Sequence, residues 1–153
     1  MFQCKDTKSL YHINSYATCG TFILPFRDCL VFQRNESVSH EYDRTKIPIG
    51  IVIEVKNDVA TKIVSLAETS AKWDKAKLWC NNYSDASGNC NWYLPSKEEL
   101  NELYKVKNEV NAAIDKIIAG GGSVTKLGTG WYWSSSQNNN DKSLSWGQDF
   151  SYG

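Results

Sequence analysis

The stretch Trp92-Tyr93-Leu94-Pro95-Ser96-Lys97-Glu98-Glu99-Leu100 constrains this chain more than any other. Ser96 and Glu99 have the spacing of a capping box. The Ser96 hydroxyl accepts the Glu99 amide, and the Glu99 carboxylate reaches back to the Ser96 amide. Leu94 precedes the cap and Leu100 lies one turn in, as a hydrophobic staple requires. The expected helix is Pro95–Lys105, with Leu100, Leu103 and Tyr104 on its buried face. Another follows near Glu109–Ala119, carrying Val110, Ala113, Ile114 and Ile117, and Gly120-Gly121-Gly122 stops it. No strand leads into those glycines, so they do not read as a phosphate loop. Upstream, Ser70 is placed to cap a helix over Ala71–Asn82. There Trp73, Ala76, the Lys77 stem and Cys80 share one face at i, i+3, i+4 and i+7.

Strand patterns flank the helices. Ile47-Pro48-Ile49-Gly50-Ile51-Val52-Ile53-Glu54-Val55 is rich in β-branched residues, Lys56-Asn57-Asp58 turns it, and Thr61–Leu66 returns as its hairpin partner. Near the C-terminus Trp131-Tyr132-Trp133-Ser134-Ser135-Ser136 alternates large and small. It puts Trp131 and Trp133 on one face and Tyr132 on the other. Asn138, Asn139, Asn140 and Asp141 form a polar turn, and Leu144–Phe150 returns. Residues 1–46 carry only short apolar bursts, Thr21–Leu24 and Leu30–Phe32, around Pro25. The expected organisation is therefore an irregular, β-rich leader over 1–46 and a domain over 47–153. That domain is α+β, with small antiparallel sheets and two or three helices, its last strands pairing with the first sheet.

Composition removes several functions. Lys plus Arg number 17 and Asp plus Glu number 17, for a formal net charge of zero. A nucleic-acid partner needs a basic surplus gathered on one face, so none is expected. No apolar run approaches the roughly 18 residues of a membrane span. An aromatic content of 12% argues against disorder. Met1-Phe2-Gln3-Cys4-Lys5 lacks the basic-then-apolar start of a signal peptide.

The five cysteines, Cys4, Cys19, Cys29, Cys80 and Cys90, have no metal-site spacing, and His12 and His40 lie far from the last two. A Cys80–Cys90 disulfide and buried free thiols both stay open, because redox compartment decides between them. No cofactor is expected. Asn138, Asn139, Asn140, Asp141 and Asp149 offer oxygens, but a single carboxylate in the turn falls short of the six to eight ligands of calcium. Catalysis is not expected either. No nucleophile has a base in reach, Glu99 is a cap, Glu98 and Glu102 face solvent, and Asp74 and Asp115 are isolated.

The blocks Trp73-x-x-Ala76-x-x-x-Cys80, Trp92-Tyr93-Leu94-Pro95-Ser96-x-x-Glu99-Leu100 and Tyr132-Trp133-Ser134-Ser135 resemble a bacterial family with a C-type-lectin-like fold. It is the family of collagen-like surface-protein C-terminal domains and of major paralogous domains. The resemblance covers residues 47–153. It implies an exported, adhesin-like binding module, shown on a cell surface or a phage particle, whose partner is a protein or a glycan on a host or neighbouring cell. The Asn, Ser, Asp, Gly and Tyr of residues 137–153 also have the look of the variable proteins of diversity-generating retroelements. The sugar-and-calcium motifs of ordinary C-type lectins are missing. So are the late cysteines of the formylglycine-generating oxidases that share the fold.

In that fold the final hairpin faces one side of the domain. The expected contacts are Asn138, Asn139, Asn140, Ser145, Trp146, Gln148 and Tyr152, with Trp146 foremost. Lys97, Glu102 and Lys105 on the helix form the set expected to be inert. The rival reading is a structural module of a larger surface or fibre protein with no ligand of its own.

Overall fold

The computed structural model describes residues 30–33, 37–39, 47–56, 59–84, 92–142 and 144–151. Its elements run β1 (Leu30–Gln33), β2 (Ser37–Ser39), β3 (Pro48–Lys56), β4 (Val59–Ser65), α1 (Trp73–Asn82), α2 (Lys97–Lys105), α3 (Lys107–Ala119), β5 (Trp131–Gln137) and β6 (Ser145–Asp149). The first four strands form an antiparallel sheet in the order β2-β1-β3-β4, and β5 and β6 form a second, two-stranded sheet. The described residues are thus mixed α+β, with three helices and two small antiparallel sheets.

The long β3–β4 hairpin follows the β-branched pattern, with Ile51 opposite Val64 and Val52 opposite Ile63. β1 lies ahead of residue 47 yet pairs along β3, Val31 opposite Ile51. Thr21–Leu24 lies outside the described residues.

Each helix end has an identifiable cause. Both halves of the capping box are present. The Glu99 amide donates to Ser96 Oγ at 3.2 Å, and the Ser96 amide donates to the Glu99 carboxylate at 3.0 Å. Because Ser96 is the cap, Pro95 lies outside the helix and α2 begins at Lys97. At the other end of α3, Gly121 takes φ +92 while the amides of Gly121 and Gly122 donate to the carbonyls of Ile118 and Ile117. That double bond is a Schellman stop, and it needs a residue tolerant of positive φ. The start of α1 differs from expectation. Its cap is Lys72, without a side-chain bond, because the ladder opens with the Ala76 amide on the Lys72 carbonyl, beyond the reach of Ser70.

Two clusters of described residues stand out in the interior. The larger joins Ile51 and Val64 from the first sheet to Leu100 and Leu103 of α2 and to Val110, Ala113, Ile114 and Ile117 of α3, and is closed by Leu127, Tyr132 and Phe150. The smaller gathers Cys80 and Leu94, with Trp73, Trp79 and Trp133 against them. Leu94 and Leu100 fall in different clusters, so the expected staple does not form. Lys77 is exposed rather than lending its stem to the core, with its ammonium 5.4 Å from the Trp73 ring centroid. Cys80 is disulfide-bonded. Cys90 lies outside the described residues, as do the other cysteines.

Among the described residues the second sheet does not pair with the first. β5 spends its backbone groups elsewhere: Ser135 N–H donates to the Pro95 carbonyl at 2.6 Å, and the Ser134 carbonyl accepts Trp73 Nε1–H at 2.7 Å. That single peptide unit is bonded on both edges of the strand, to Pro95 ahead of α2 and to Trp73 of α1, so at this point neither edge is open to another ladder. It meets the core through side chains instead. Tyr132 is 1% exposed and its ring lies 4.3 Å from that of Phe150. The Gly128 amide donates to the Tyr132 hydroxyl at 2.9 Å, and Asn111 clamps the same loop through both the amide and the carbonyl of Leu127.

Burial pushes the Tyr132 phenol well above its ordinary value of 10, the Glu68 carboxylate adds to the rise, and the Gly128 amide opposes it. The folded chain therefore holds this proton more tightly than the unfolded chain. The stabilisation is whole below the ordinary value and drains as pH rises through and beyond it. Tyr132→Phe is expected to cost about 1 kcal/mol at neutral pH, since Gly128 loses its acceptor. Above about pH 10, urea unfolding should show a shallower loss of stability for the variant than for the parent.

Candidate functional site

The β5–β6 hairpin is irregular. Trp133 pairs with Gly147 and Gln137 with Ser145, so the three serines Ser134-Ser135-Ser136 face Trp146 alone. Such a bulge bends its strand and re-aims the side chains around it. Each serine has a task in holding it. Ser134 Oγ–H donates to the Trp146 carbonyl at 3.0 Å and accepts the Ser136 amide at 3.2 Å. Ser135 bonds Pro95 through its amide, and Ser136 Oγ accepts the Lys97 amide at 3.1 Å. The bulge is therefore stitched to the start of α2. Gly147 suits the crowding opposite, because a Cβ there would lie 3.1 Å from the Tyr132 carbonyl and 3.4 Å from the Trp131 ring.

The turn is closed by its own main chain. The Asn138 amide donates to the Leu144 carbonyl at 2.9 Å, and the Leu144 amide donates to the Asp141 carbonyl at 3.0 Å. Asn138 Oδ1 accepts the Asn140 amide at 2.9 Å, a local turn for which asparagine is well suited. Gln137 Nε2 donates to the Lys142 carbonyl at 3.1 Å.

Between this turn and the start of α2 lies an open cleft of about 500 Å³, lined by Lys97, Ser136, Gln137, Asn138, Asn139, Asn140 and Trp146. Trp146 is 48% exposed, with the Lys97 ammonium 5.3 Å from its ring centroid. Glu98 Oε1 stands 3.7 Å from that ammonium. The Glu98 carboxyl is held below its ordinary value by its own backbone N–H at the first turn of the helix; desolvation opposes this, and the Ser96 hydroxyl and Lys97 add to the lowering.

Four of the residues singled out from sequence, Asn138, Asn139, Asn140 and Trp146, meet in this cleft. Ser145 and Gln148 lie on β6 outside its lining, and Gln148 Nε2 donates to the Asp149 carbonyl. Tyr152 lies outside the described residues. Lys97, assigned by its helix position to the inert set, stands in the cleft wall, whereas Glu102 and Lys105 pair with each other at 2.9 Å away from it. Nothing local to Lys97 signals this. Its address follows from Ser136, whose role as an acceptor for the helix start is not written in the strand's alternation. Trp131 is 54% exposed and belongs to the opposite face of β5 from Tyr132, outside the cleft.

Among the described residues no group of three or more His, Cys, Asp or Glu side chains comes together to hold a metal ion, and no helix is long and apolar enough to cross a membrane. The chemistry on offer in the cleft is uncharged hydrogen bonding around one indole, with one ammonium at its edge. The family model of the Lcl C-terminal domain matches residues 30–153. The chain belongs to this family. The Lcl C-terminal domain is related to C-type-lectin-like domains, and its match takes in β1 and β2 as well as all that follows. No curated relative and no solved structure matches the chain.

In this member the cleft depends on how α1 holds β5. Trp73→Phe keeps an aromatic ring in the smaller cluster but removes the donor to the Ser134 carbonyl. The expected loss is about 1 kcal/mol, read as a lower urea midpoint. Faster hydrogen exchange should accompany it at the Ser135 and Ser136 amides.

Proposed function

We propose that this Lcl C-terminal domain is a non-catalytic, adhesin-like binding module of C-type-lectin-like fold, displayed on a bacterial surface or a phage particle, and that it engages its ligand through the cleft beside the C-terminal hairpin. The observation that carries the reading is the convergence of Asn138, Asn139, Asn140, Trp146 and Lys97 on one concavity. Its volume falls in the usual range of ligand sites, about 300–1,000 Å³. A half-exposed tryptophan among adaptable amides is also the composition that antibody loops use for contact, a rigid surface with hydrogen bonds that adjust. The scaffold below is fixed by the capped helix and the bulge, which suits a binding loop. Family membership supports a surface-binding role.

The test is an array of glycans and extracellular proteins probed with the full chain and with alanine variants. Trp146→Ala is expected to weaken a saturable hit by about tenfold or more, and Asn139→Ala and Asn140→Ala to weaken it less. Glu102→Ala and Lys105→Ala are expected to leave it unchanged. Binding that survives all three cleft variants and fails in the helix pair would move the ligand surface elsewhere.

A further inference from the structure

We infer that the disulfide at Cys80 is a redox lock on the hairpin: its reduction frees α1 and the serine bulge, while the larger core stays folded. This adds regulation to the binding reading on which it rests, and its readouts need no ligand.

The first ground is where the anchors of the bulge lead. The peptide unit between Ser134 and Ser135 is bonded on one side by Trp73 Nε1–H and on the other by the Pro95 carbonyl. Trp73 opens α1, and Leu94 comes directly before Pro95. Both belong to the smaller cluster, with Trp79, Trp133 and Cys80. The two bonds that place the bulge therefore hang from one small group of side chains, in which Cys80 supplies a covalent tie. Ser134 Oγ–H carries the constraint on to the Trp146 carbonyl, and so to the cleft.

The second ground is the weakness of α1 on its own. It has 10 residues, no side-chain cap at Lys72 and no basic residue in its last turn. A helix shorter than about 12–15 residues is marginal without outside support. The element α1 packs on is β5, and the residues it buries are Ala76 and Cys80. By contrast α2 has its capping box and α3 its Schellman stop, and both enter a cluster that includes no cysteine. Tyr132 belongs to that larger cluster and Trp133 to the smaller one, so the boundary between the two runs through β5.

The chemistry is thiol–disulfide exchange with a dithiol. Its two thiols close to a disulfide, two electrons and two protons pass to the protein, the sulfur–sulfur bond at Cys80 breaks, and two cysteine thiols form. What is lost is a restraint on the open chain, and the loss falls on the unit that the disulfide closes. Cys80 is 2% exposed, so a dithiol reaches it only when that unit opens.

The experiment is hydrogen exchange of the full chain, oxidised and in excess dithiothreitol at about pH 8, where the reagent has thiolate to attack with. Alkylation and peptide mass after quenching report the state of Cys80. On reduction, the α1 amides and those of Ser135 and Ser136 are expected to exchange about tenfold faster or more, while the amides of Leu103, Val110 and Ile114 stay within about threefold. Oxidised Cys80→Ala should reproduce that pattern. Trp73→Phe, which keeps the disulfide, should speed the serines and leave the Cys80 end of α1 slow. Acceleration of α3 together with α1 would overturn the lock, because the disulfide would then support the whole fold. So would unchanged exchange at the serines, or a Cys80 that is reduced only under conditions that also open α3. The expected exchange pattern in a chain that binds nothing on the array would uphold the lock and remove the binding reading alone.

Discussion

The hydrogen bond from the Ser135 amide to the Pro95 carbonyl, at 2.6 Å, joins two parts of the chain that otherwise have separate causes. On one side is a helix start set by local chemistry, the Ser96–Glu99 box. On the other is a hairpin whose strands would match residue for residue without three serines opposite Trp146. The bond ties the residue just ahead of the cap to the middle of the bulge, and Ser136 adds a second tie at Lys97. The position of Trp146 relative to α2 follows from this pair of contacts. With the first helical amide bonded to Ser136, an orphan donor of the helix end is satisfied by the hairpin rather than by water. Capping and docking are one event.

The rest of the domain keeps that joint from drifting. α2 lies against both β5 and β6, and α3 crosses β3. Phe150 fills the space between Tyr104 and Tyr132, while Lys107 Nζ donates to the Phe150 carbonyl at 2.5 Å. Beyond it the Ser151 hydroxyl and amide hold the Asp149 carboxyl below the ordinary carboxylate range, with Lys107 assisting. The end of β6 is thus fixed by an aromatic plug and a lysine at the start of α3. On the far side of β5, Trp73 supplies a donor from α1, whose Cys80 is disulfide-bonded. Two helices therefore grip one short hairpin from different sides.

What was legible in the amino-acid order is what neighbours decide among themselves. Ser96 and Glu99 cap, Gly121 stops α3, and the β-branched run of β3 pairs with β4, each through contacts close in sequence. The end of α2 and start of α3 at Val106 fell within two residues of the pattern. Apart from the cap of α1, which falls on Lys72 rather than Ser70, the main misses involve partners brought together by the fold. The second sheet stands apart with Pro95 and Trp73 bonded to the peptide unit between Ser134 and Ser135, and no strand pattern reveals those partners. Leu94 leaves Leu100 for the cluster around Cys80, since Trp133 and Trp73 complete a second core there. Four of the seven proposed contacts came together because they share a turn and a strand, whereas Lys97 enters only through the serine bulge.

The turn itself divides labour between main chain and side chain. Its path is drawn by the amides of Asn138, Asn140 and Leu144, with the side chains of Gln137 and Asn138 as part of the frame. Positions 139 and 140 contribute nothing to the frame beyond their backbone. New side chains at those two positions would therefore change the chemistry of the cleft wall without touching the bonds that shape the turn. Asn138 has no such freedom, and a change there alters the shape on which any new side chains would be displayed.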